Sequence, residues 1–417
     1  MVIAKIISIG DELLNGQIVN SNATFISGKL SEINIKTEKI SVIGDNEDDL
    51  LSELDYSLLN CDLTILTGGL GPTHDDITKS VLLKFFDDEL ILNEDVLEHI
   101  KKIFSNRNIK MPDRNIEQAM VPSKCRVIWN KFGTAPGLWF EKNKKIFIAL
   151  PGVPYETIEM INKILIPDIK KYYENKFDYF FKSRTLLTLG IGESSLAEKI
   201  GDAKKIVGEN KLAFLPSVQG VKLRIDAYGK NEKEVDFILD EISEKIKDKV
   251  GKYIWGENDD SLEIITGNLL TKLNYKIATA ESCTGGLISK LFTDIPGSSK
   301  YFIGGVFAYS NNVKINSLGV NEKTIIDYGA VSEQTAKEMA DGIRKKFNTD
   351  IGISTTGIAG PEGGTKEKPV GLVWIGYSDK NKTYAEKFNF GTNRERTRLR
   401  ASYYALNILR KEILFLF

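Results

Sequence analysis

Apolar runs alternate with segments of helical spacing at the start of the chain. The runs hold few polar residues, as is typical of strands that are covered on both faces of a sheet. Their β-α-β-α-β order predicts an open parallel sheet with helices on both faces, and such sheets bind ligands at the carboxyl ends of their strands. The predicted strands are residues 3–9, 35–42 and 63–66, and the predicted helices are residues 20–33, 50–59 and 77–86.

The hydrophobic pattern then passes through a different module before it returns to the α/β type. Short strands and a long amphipathic helix at 232–250 predict a small α+β module between about residues 177 and 253. The polar, turn-rich segment 253–261 is interpreted as a linker to a second α/β domain. The other predicted elements are a helical stretch at 111–120, a helix at 262–273, and strands at 127–132, 146–150, 184–189, 276–280, 302–309 and 351–356.

Length and composition narrow the class of protein. A chain of 417 residues exceeds one ordinary core, and the predicted domains are residues 1–175, 176–253 and 258–417. Lys plus Arg number 56 against 57 Asp plus Glu, a balance that argues against a general nucleic-acid-binding or membrane-surface protein. No long apolar run or signal peptide is recognised, so a cytoplasmic location is expected.

The few cysteines and histidines restrict the chemistry. Cys61, Cys125 and Cys283 lack metal-type spacing and cannot form an even disulfide framework, which fits a reducing compartment. With His74 and His99 as the two histidines, a zinc site or a Ser-His-Asp hydrolase is hard to build. Any metal is therefore expected to have oxygen ligands, and any nucleophile is expected to use a base other than His.

Residues 67–78, Thr-Gly-Gly-Leu-Gly-Pro-Thr-His-Asp-Asp-Ile-Thr, join a glycine-rich loop to two carboxylates. The loop follows a predicted strand and opens a predicted helix, so backbone N–H groups at Gly68 and Gly69 favour an anion such as phosphate. Asp75 and Asp76 add the oxygen ligands that a hard cation prefers. The simpler interpretation is a tight turn capped by Asp.

Acidic residues also follow other strands of the first predicted sheet. Asp11, Asp45 and Asp76 each come just after a predicted strand end. Because the carboxyl ends of parallel strands meet at one edge of a sheet, we expect these carboxylates to be able to share one crevice despite their separation in sequence.

A second strand-turn-helix unit contains Ser282. The turn would expose the Ser282 hydroxyl, and the N–H groups of Gly285 and Gly286 could bind a phosphate or stabilise an oxyanion. The alternative is that Ser282 or Thr284 only caps the helix.

Further polar residues follow the other strands of this domain. Tyr309 and Lys314 come after one predicted strand, and Thr356 and Gly357 end another. Arg394 and Arg398 are four residues apart on one helix face, which is either an anion-binding pair or a solvated cationic surface.

The motifs of the first domain resemble those of the amino-terminal half of the CinA (competence/damage-inducible) family. That domain is similar to the molybdopterin-binding fold of molybdenum-cofactor biosynthesis proteins. In CinA proteins it is associated with divalent-metal-dependent hydrolysis of ADP-ribose. The segments that carry the resemblance are residues 10–16, Asn22, residues 67–78, Asn130 with residues 133–137, and residues 150–156.

The resemblance implies roles for residues in this first domain. Asp45 and Asp76 would bind a divalent metal (Mg, Mn or Co) and activate the attacking water. Asp11 and Asp75 would be further ligands of this site. Phosphate or ribose oxygens would be contacted by Gly68, Gly69 and Thr73.

Residues 280–286, 309–311 and 355–361 extend the resemblance to the carboxy-terminal domain of CinA. That domain is similar to nicotinamide mononucleotide amidohydrolases, which release ammonia from the carboxamide and leave nicotinate mononucleotide. No cofactor is expected there.

The absence of a local His guides the assignment of catalytic roles. A desolvated lysine or a tyrosine relay can activate a serine, so Ser282 is assigned as nucleophile and Lys314 with Tyr309 as base and proton relay. Cys283 is the alternative nucleophile. Thr356 and N–H groups near Gly285 and Gly357 are expected to stabilise the oxyanion.

Arginine is expected to hold the substrate phosphate in a charge-assisted fork. Either Arg394 or Arg398 is expected to bind this phosphate. The segment 391–396 departs from the family pattern, in which Asp is more usual in this region. Arg396 therefore also stays a candidate for binding the phosphate.

Three hypotheses of function follow. The first is a bifunctional hydrolase of pyridine-nucleotide recycling, which deamidates nicotinamide mononucleotide and splits ADP-ribose into AMP and ribose 5-phosphate. The second is a molybdopterin-binding protein of cofactor biosynthesis, and the third is a non-enzymatic competence or DNA-damage adaptor. The resemblance also implies a homodimer.

The middle module resembles a KH nucleic-acid module. Residues 190–193, Gly-Ile-Gly-Glu, are not the Gly-x-x-Gly clamp of such modules, and the charge of the module is nearly balanced. Nucleic-acid binding is therefore not expected.

Overall fold

The computed structural model describes residues 2–72, 76–174 and 180–415. Thr73, His74 and Asp75 of the glycine-rich loop lie outside the described residues. The chain divides into two compact units, Met1–Ser183 with Ala227–Ile238 and Arg184–Asp226 with Leu239–Phe417. Among the described helices, none is both long and apolar enough to cross a membrane.

The first α/β domain is built on a six-stranded sheet with the order β2-β1-β3-β8-β7-β6. Its strands are β1 (Val2–Ile9), β2 (Ile35–Ile43), β3 (Leu63–Thr67), β6 (Arg126–Ile128), β7 (Gly137–Lys142) and β8 (Lys145–Leu150), and β4 (Leu90–Leu92) pairs with β5 (Met120–Pro122). Its helices are α1 (Asp11–Leu14), α2 (Ser21–Glu32), α3 (Glu47–Asn60), α4 (Thr78–Phe86), α5 (Glu94–Asn106), α6 (Pro154–Met160) and α7 (Ile166–Tyr173).

Both faces of this sheet are covered. On β1, Ile6 packs in one apolar cluster and its neighbour Ile7 packs in another, because successive side chains of a strand point to opposite faces. The chain runs from β1 to β2 on one side and then to β3 on the other side of β1, all in parallel. This reversal of strand order opens a crevice at the carboxyl ends of β1 and β3.

The parallel arrangement predicted from the first three strands is confirmed, and β8 extends it, whereas the far edge of the sheet is antiparallel. There β7 pairs antiparallel with β8, and β6 pairs antiparallel with β7. The β7–β8 hairpin turns at Asn143 and Lys144, which have φ of +53° and +62°. Two successive positive φ values are typical of a type I′ turn, but Asn-Lys is not its usual sequence.

Two other predicted elements differ in the structure. The stretch 111–120 is not a regular helix, since Asp113–Ala119 forms a 3₁₀ turn and β5 begins at Met120. The segment interpreted as a linker contains β12 (Ile254–Glu257), which pairs antiparallel with β9 (Phe180–Thr188). In both cases a tertiary contact, here strand pairing, overrides a local polar or helical pattern.

The middle module contains a four-stranded sheet with the order β10-β11-β9-β12. Its helix α10 (Glu232–Val250) has the predicted bounds. The other elements are β9 (Phe180–Thr188), α8 (Glu193–Ile200), α9 (Ala203–Val207), β10 (Lys211–Ser217) and β11 (Gly220–Gly229).

The last domain is an α/β unit around a five-stranded sheet with the order β14-β13-β15-β16-β17. β13 lies between β14 and β15 and runs parallel to both, so strand order reverses again at β13. Its elements are α11 (Leu262–Leu273), β13 (Ile277–Glu281), α12 (Leu287–Thr293), β14 (Phe302–Phe307), α13 (Asn311–Leu318), α14 (Glu322–Tyr328), α15 (Glu333–Phe347), β15 (Ile351–Gly357), β16 (Leu372–Ser378), β17 (Thr383–Asn389) and α16 (Arg394–Leu414).

Candidate active sites

Ser282 follows β13 directly, in the turn that leads into α12. Its N–H donates to the carbonyl of Thr355 at 3.0 Å, which ties the turn to β15. Gly285 and Gly286 have φ of +66° and +88°, and a Cβ at Gly285 would lie 2.7 Å from Nη2 of Arg398. The turn therefore needs glycine at 285 both for its backbone conformation and for space.

Lys314 meets Ser282 from the neighbouring strand connection. The hydroxyl of Ser310 accepts the N–H of Val313 and so caps α13, which carries Lys314 in its first turn. The Lys314 side chain is 2% exposed, and its Nζ lies 3.3 Å from Oγ of Ser282. Burial lowers the pKa of Lys314. The structure thus brings the assigned nucleophile and the assigned base together at the reversal of strand order.

Backbone carbonyls fix the direction of the Lys314 amine. Nζ donates to the carbonyl oxygens of Ala308 at 2.9 Å and Tyr309 at 3.1 Å. It is the carbonyl of Tyr309 that makes this contact, whereas its side chain is 62% exposed at the rim of the cleft. The prediction of Tyr309 as a proton relay gains no support from this contact.

A cleft that is open to solvent lies over Ser282 and Lys314. Sequence analysis assigned no role to four of its lining residues: Asn311 and Ala359 lie in recognised motifs, whereas Ala330 and Val331 are ordinary apolar residues outside them. The lining residues are Ser282, Cys283, Tyr309, Asn311, Lys314, Ala330, Val331, Thr356, Gly357, Ala359 and Arg394.

Thr356 lines this cleft, but its hydroxyl has another partner. Oγ1 donates to the carbonyl of Ala330 at 2.6 Å. A hydroxyl has one hydrogen to donate, so in this geometry Thr356 does not offer it to an oxyanion, contrary to the prediction. Among the backbone candidates, the N–H of Gly285 donates to the carbonyl of Ser282 at 3.2 Å, and Gly357 pairs with Val373 in the β15–β16 ladder.

The predicted arginine pair separates into two roles. Arg394 lines the cleft and donates from Nη1 to the carbonyl of Gly360 at 2.8 Å. Arg398 donates from Nη2 to the carbonyl of Thr284 at 3.0 Å and so binds the turn that follows Ser282. Of the two, Arg394 is the residue placed to meet a ligand.

Cys283 is a poor alternative to Ser282 as a nucleophile. Its thiol is buried, and burial raises its pKa to about 12. The thiolate is the reactive form of cysteine, and it is scarce at neutral pH when the pKa is so high.

The crevice of the first sheet places Asp11 and Asp45 side by side. The N–H of Asp11 donates to Oδ2 of Asp45 at 3.1 Å, and the N–H of Asp45 donates to Oδ1 of Asp11 at 3.4 Å. Asp76 accepts the N–H of Gly71 at 2.8 Å on Oδ1. Each carboxylate is thus bound by a backbone amide near a strand end.

These oxygen donors are of the type that Mg or Mn prefers, but the set is incomplete. Within residues 2–72, 76–174 and 180–415, no group of three His, Cys, Asp or Glu side chains is placed to hold a metal. Within these ranges Asp11, Asp45 and Asp76 do not converge into a group of that kind, so their role as metal ligands stays a prediction. Asp75 and Thr73 lie outside them.

The glycine-rich loop is shaped by close backbone packing. Gly68 has a φ of +104°, and a Cβ there would lie 2.2 Å from the carbonyl oxygen of Ile9. The N–H of Gly68 donates to the carbonyl of Leu150 at 3.0 Å. This N–H is therefore not available to a phosphate, contrary to the prediction. A Cβ at Gly69 would lie 2.3 Å from Oγ1 of Thr78, which donates to the carbonyl of Gly68.

Comparison with known proteins places these sites in a family. The chain matches the probable molybdopterin binding domain over residues 5–171, the damage-inducible protein CinA KH domain over 183–256 and the CinA C-terminal domain over 259–413. It is 41% identical to a CinA-like protein of Cytophaga hutchinsonii, over 99% of this chain and 98% of that protein. The chain belongs to the CinA family.

A further full-length relative and two shorter solved structures also match parts of the chain. A putative competence-damage inducible protein of Clostridium tetani is 43% identical over 99% of this chain and 100% of its own. Among solved structures, the competence/damage inducible protein CihA from Agrobacterium tumefaciens is 38% identical, covering 36% of this chain and 93% of its own with a TM-score of 0.35. The CinA protein from Thermoplasma acidophilum is 35% identical, covering 40% of this chain and 97% of its own with a TM-score of 0.37.

Proposed function

We propose that the carboxy-terminal domain of this CinA-family protein is an amidohydrolase that converts nicotinamide mononucleotide into nicotinate mononucleotide and ammonia. The contact between Ser282 and the buried Lys314 carries this proposal. It unites a hydroxyl and an amine of lowered pKa beneath an open cleft that Arg394 also lines. Such a pair is one of the recognised ways to activate a serine without histidine.

The surroundings of Lys314 suit the neutral amine. A neutral amine has two N–H bonds and one lone pair, and the carbonyls of Ala308 and Tyr309 can accept the two N–H bonds. The lone pair then faces the hydroxyl of Ser282, from which it can take the proton. Lys314 would act as a general base without leaving either carbonyl unpaired.

The reaction follows as two acyl transfers. Oγ of Ser282 attacks the carboxamide carbon while its proton passes to Nζ of Lys314. Nζ then protonates the departing NH₂ group, so ammonia leaves and an ester to Ser282 remains. Water attacks this ester with Lys314 again as base, which releases the carboxylate and restores the Ser282 hydroxyl.

Arg394 is proposed to bind the substrate phosphate. It is the arginine that lines the cleft, and a guanidinium can hold phosphate through two parallel N–H bonds. The apolar side chains of Ala330, Val331 and Ala359 provide a surface for the flat nicotinamide ring.

The first domain is proposed to hydrolyse ADP-ribose to AMP and ribose 5-phosphate with a divalent metal. The observation that favours it is the meeting of Asp11 and Asp45 at the crevice of a molybdopterin-binding-type domain. Asp45 and Asp76, with Asp11 and Asp75, would hold the metal, which supplies charge neutralisation at the pyrophosphate.

The first test measures ammonia release from nicotinamide mononucleotide in buffer with a chelator. Wild type and Ser299→Ala, an exposed serine of the same domain, are expected to release ammonia, and Ser282→Ala is not. Equal release by wild type and Ser282→Ala would refute the serine mechanism. Absence of release by folded wild type would favour a molybdopterin-binding protein or a competence adaptor.

Parallel tests address the first domain and the oligomer. Formation of AMP from ADP-ribose is expected with added Mg, Mn or Co and not with chelator. Sedimentation is expected to give a homodimer, and a monomer would refute that proposal.

A further inference from the structure

We infer that Glu281 is a positioning residue that holds the nucleophile Ser282 in place, an inference that rests on the proposed deamidase function. Glu281 is the last residue of β13 and precedes Ser282 directly. Its side chain is 1% exposed, although charged side chains are almost never fully buried without a specific arrangement of partners. What it touches explains why a carboxylate is needed there.

The Glu281 carboxylate binds both ends of the turn that follows it. Oε2 accepts the hydroxyl of Thr284 at 2.8 Å and the N–H of Ile288 at 3.1 Å. Oε1 accepts the N–H of Ser289 at 2.8 Å and the hydroxyl of Ser289 at 2.7 Å. All these donors are neutral, and all lie in the turn after Ser282 or at the start of α12. One side chain therefore closes the loop that presents the nucleophile.

The same network extends into two strands of the sheet. The hydroxyls of Thr284 and Thr355 lie 2.7 Å apart, and those of Ser289 and Thr279 lie 2.8 Å apart. Through these contacts Glu281 fixes the turn relative to β13 and β15. The direction of the Ser282 hydroxyl toward Lys314 depends on this turn, and attack geometry is sensitive to displacements of about 1 Å.

Replacement by glutamine should disrupt this arrangement with little change of volume. Each carboxylate oxygen accepts a backbone N–H, one from Ile288 and one from Ser289. The NH₂ group of a glutamine would face one of these donors in either orientation of the amide, because an amide has one oxygen. Glu281→Gln thus removes one hydrogen-bond acceptor. It also places the NH₂ group of the glutamine against the N–H of Ile288 or of Ser289.

A matched control exists in the same domain. Glu338 accepts the N–H of Asn321 and the hydroxyl of Thr324, both at 2.7 Å, and so holds the start of α14. Glu338→Gln makes the same chemical change at a carboxylate that also binds a backbone amide and a hydroxyl.

Steady-state kinetics with nicotinamide mononucleotide test the inference. Glu281→Gln is expected to lower kcat about 100-fold and to leave KM within about twofold, because the substrate contacts are intact and the nucleophile is displaced. Glu338→Gln is expected to match wild type in both constants. A wild-type kcat in folded Glu281→Gln, or an equal loss in both variants, would overturn the inference.

A milder variant keeps the test decisive if Glu281→Gln does not fold. Ser289→Ala removes one hydroxyl donor and leaves the carboxylate in place. It is expected to lower kcat about fivefold at unchanged KM, since one hydrogen bond is lost. An unchanged kcat in Ser289→Ala together with unfolded Glu281→Gln would assign Glu281 to stability alone and overturn the inference.

Labelling of Ser282 by a fluorophosphonate separates this inference from the proposed function. The reagent reports the reactivity of the serine without using the nucleotide. Slower labelling of Glu281→Gln than of wild type and Glu338→Gln supports the inference even if wild type releases no ammonia, a result that would refute only the proposed substrate. Equal labelling of all three proteins would overturn the inference, and absence of labelling in wild type would overturn both proposals.

Discussion

The two α/β sheets of this protein both place polar residues at a crevice where the strand order reverses. The two crevices differ in how closely their polar side chains meet. In the last domain, Ser282 and Lys314 from adjacent connections lie 3.3 Å apart beneath a cleft. In the first domain, Asp11 and Asp45 bind each other's backbone amides, and among the described residues no third acidic group completes a metal cluster.

The difference has an electrostatic reason. Ser282 is uncharged and does not repel Lys314, and the hydrogen bonds from Nζ of Lys314 to the carbonyls of Ala308 and Tyr309 hold the amine beside it. Carboxylates repel one another when they converge, and a site of that kind gains its main stabilisation from the cation. The contact between Ser282 and Lys314 is thus formed by the protein alone, whereas the proposed acidic site would depend on the cation that binds there.

The largest expected effect concerns the lysine base. Lys314→Met retains a long apolar side chain and removes the amine, so kcat for deamidation is expected to fall about 1,000-fold through loss of general base catalysis. Ammonia release by the purified variant measures it. Activity near that of wild type would show that the contact between Lys314 and Ser282 is not catalytic.

The second prediction concerns the acidic crevice. Asp76→Asn is expected to lower metal-dependent ADP-ribose hydrolysis about 100-fold, equivalent to about 3 kcal/mol of lost charge stabilisation. Ammonia release from nicotinamide mononucleotide should be unchanged in the same preparation. Asp87→Asn, at the far end of α4, serves as control, and equal AMP formation in both variants would remove Asp76 from the site.

The third prediction separates the arginines of α16. Arg394→Ala is expected to raise KM for nicotinamide mononucleotide about 10- to 100-fold, because a charge-assisted bond to phosphate is lost. Arg396→Ala should leave KM unchanged. Arg398→Ala should act on kcat instead, since Arg398 binds the carbonyl of Thr284 in the turn that follows Ser282. A raised KM only in Arg398→Ala would reverse the assignment.

The fourth prediction is the pH dependence of deamidation. Burial lowers the pKa of Lys314, and the base must be neutral to accept the proton of Ser282. With rising pH, kcat is expected to increase about tenfold per unit and then level off at a pH below the ordinary lysine value of 10.5. A profile that keeps rising beyond 10.5 would contradict a desolvated lysine base.

The smallest expected effect is at Thr356. Because its hydroxyl donates to the carbonyl of Ala330, Thr356→Val is expected to lower kcat less than about threefold. Loss of an oxyanion donor would instead lower kcat about 100- to 1,000-fold. The kcat of this variant therefore decides between the predicted role and the one that the contact indicates.

The sequence by itself determined the parallel cores and the strand-turn-helix units. Nearly continuous apolar runs predicted β1 and β3, because strands buried on both faces leave little room for polar residues. The capping residues Asn20 and Ser310 and the glycines at 285 and 286 act locally, so they too could be identified without the fold. Ser282 and Lys314 were found because motifs at strand ends meet at the edge of a parallel sheet.

Tertiary structure alone decided which of these groups are in contact and which acceptor each hydrogen-bond donor binds. β7 pairs antiparallel with β8, and β12 pairs antiparallel with β9. The hydrogen-bond partners of Thr356 and Arg398 are likewise residues distant in sequence. Glu281 illustrates the same limit, since its charge at the end of a buried strand was visible but its four contacts were not. Hydrogen-bond partners are fixed by three-dimensional packing, and a linear pattern records only which donors and acceptors are available.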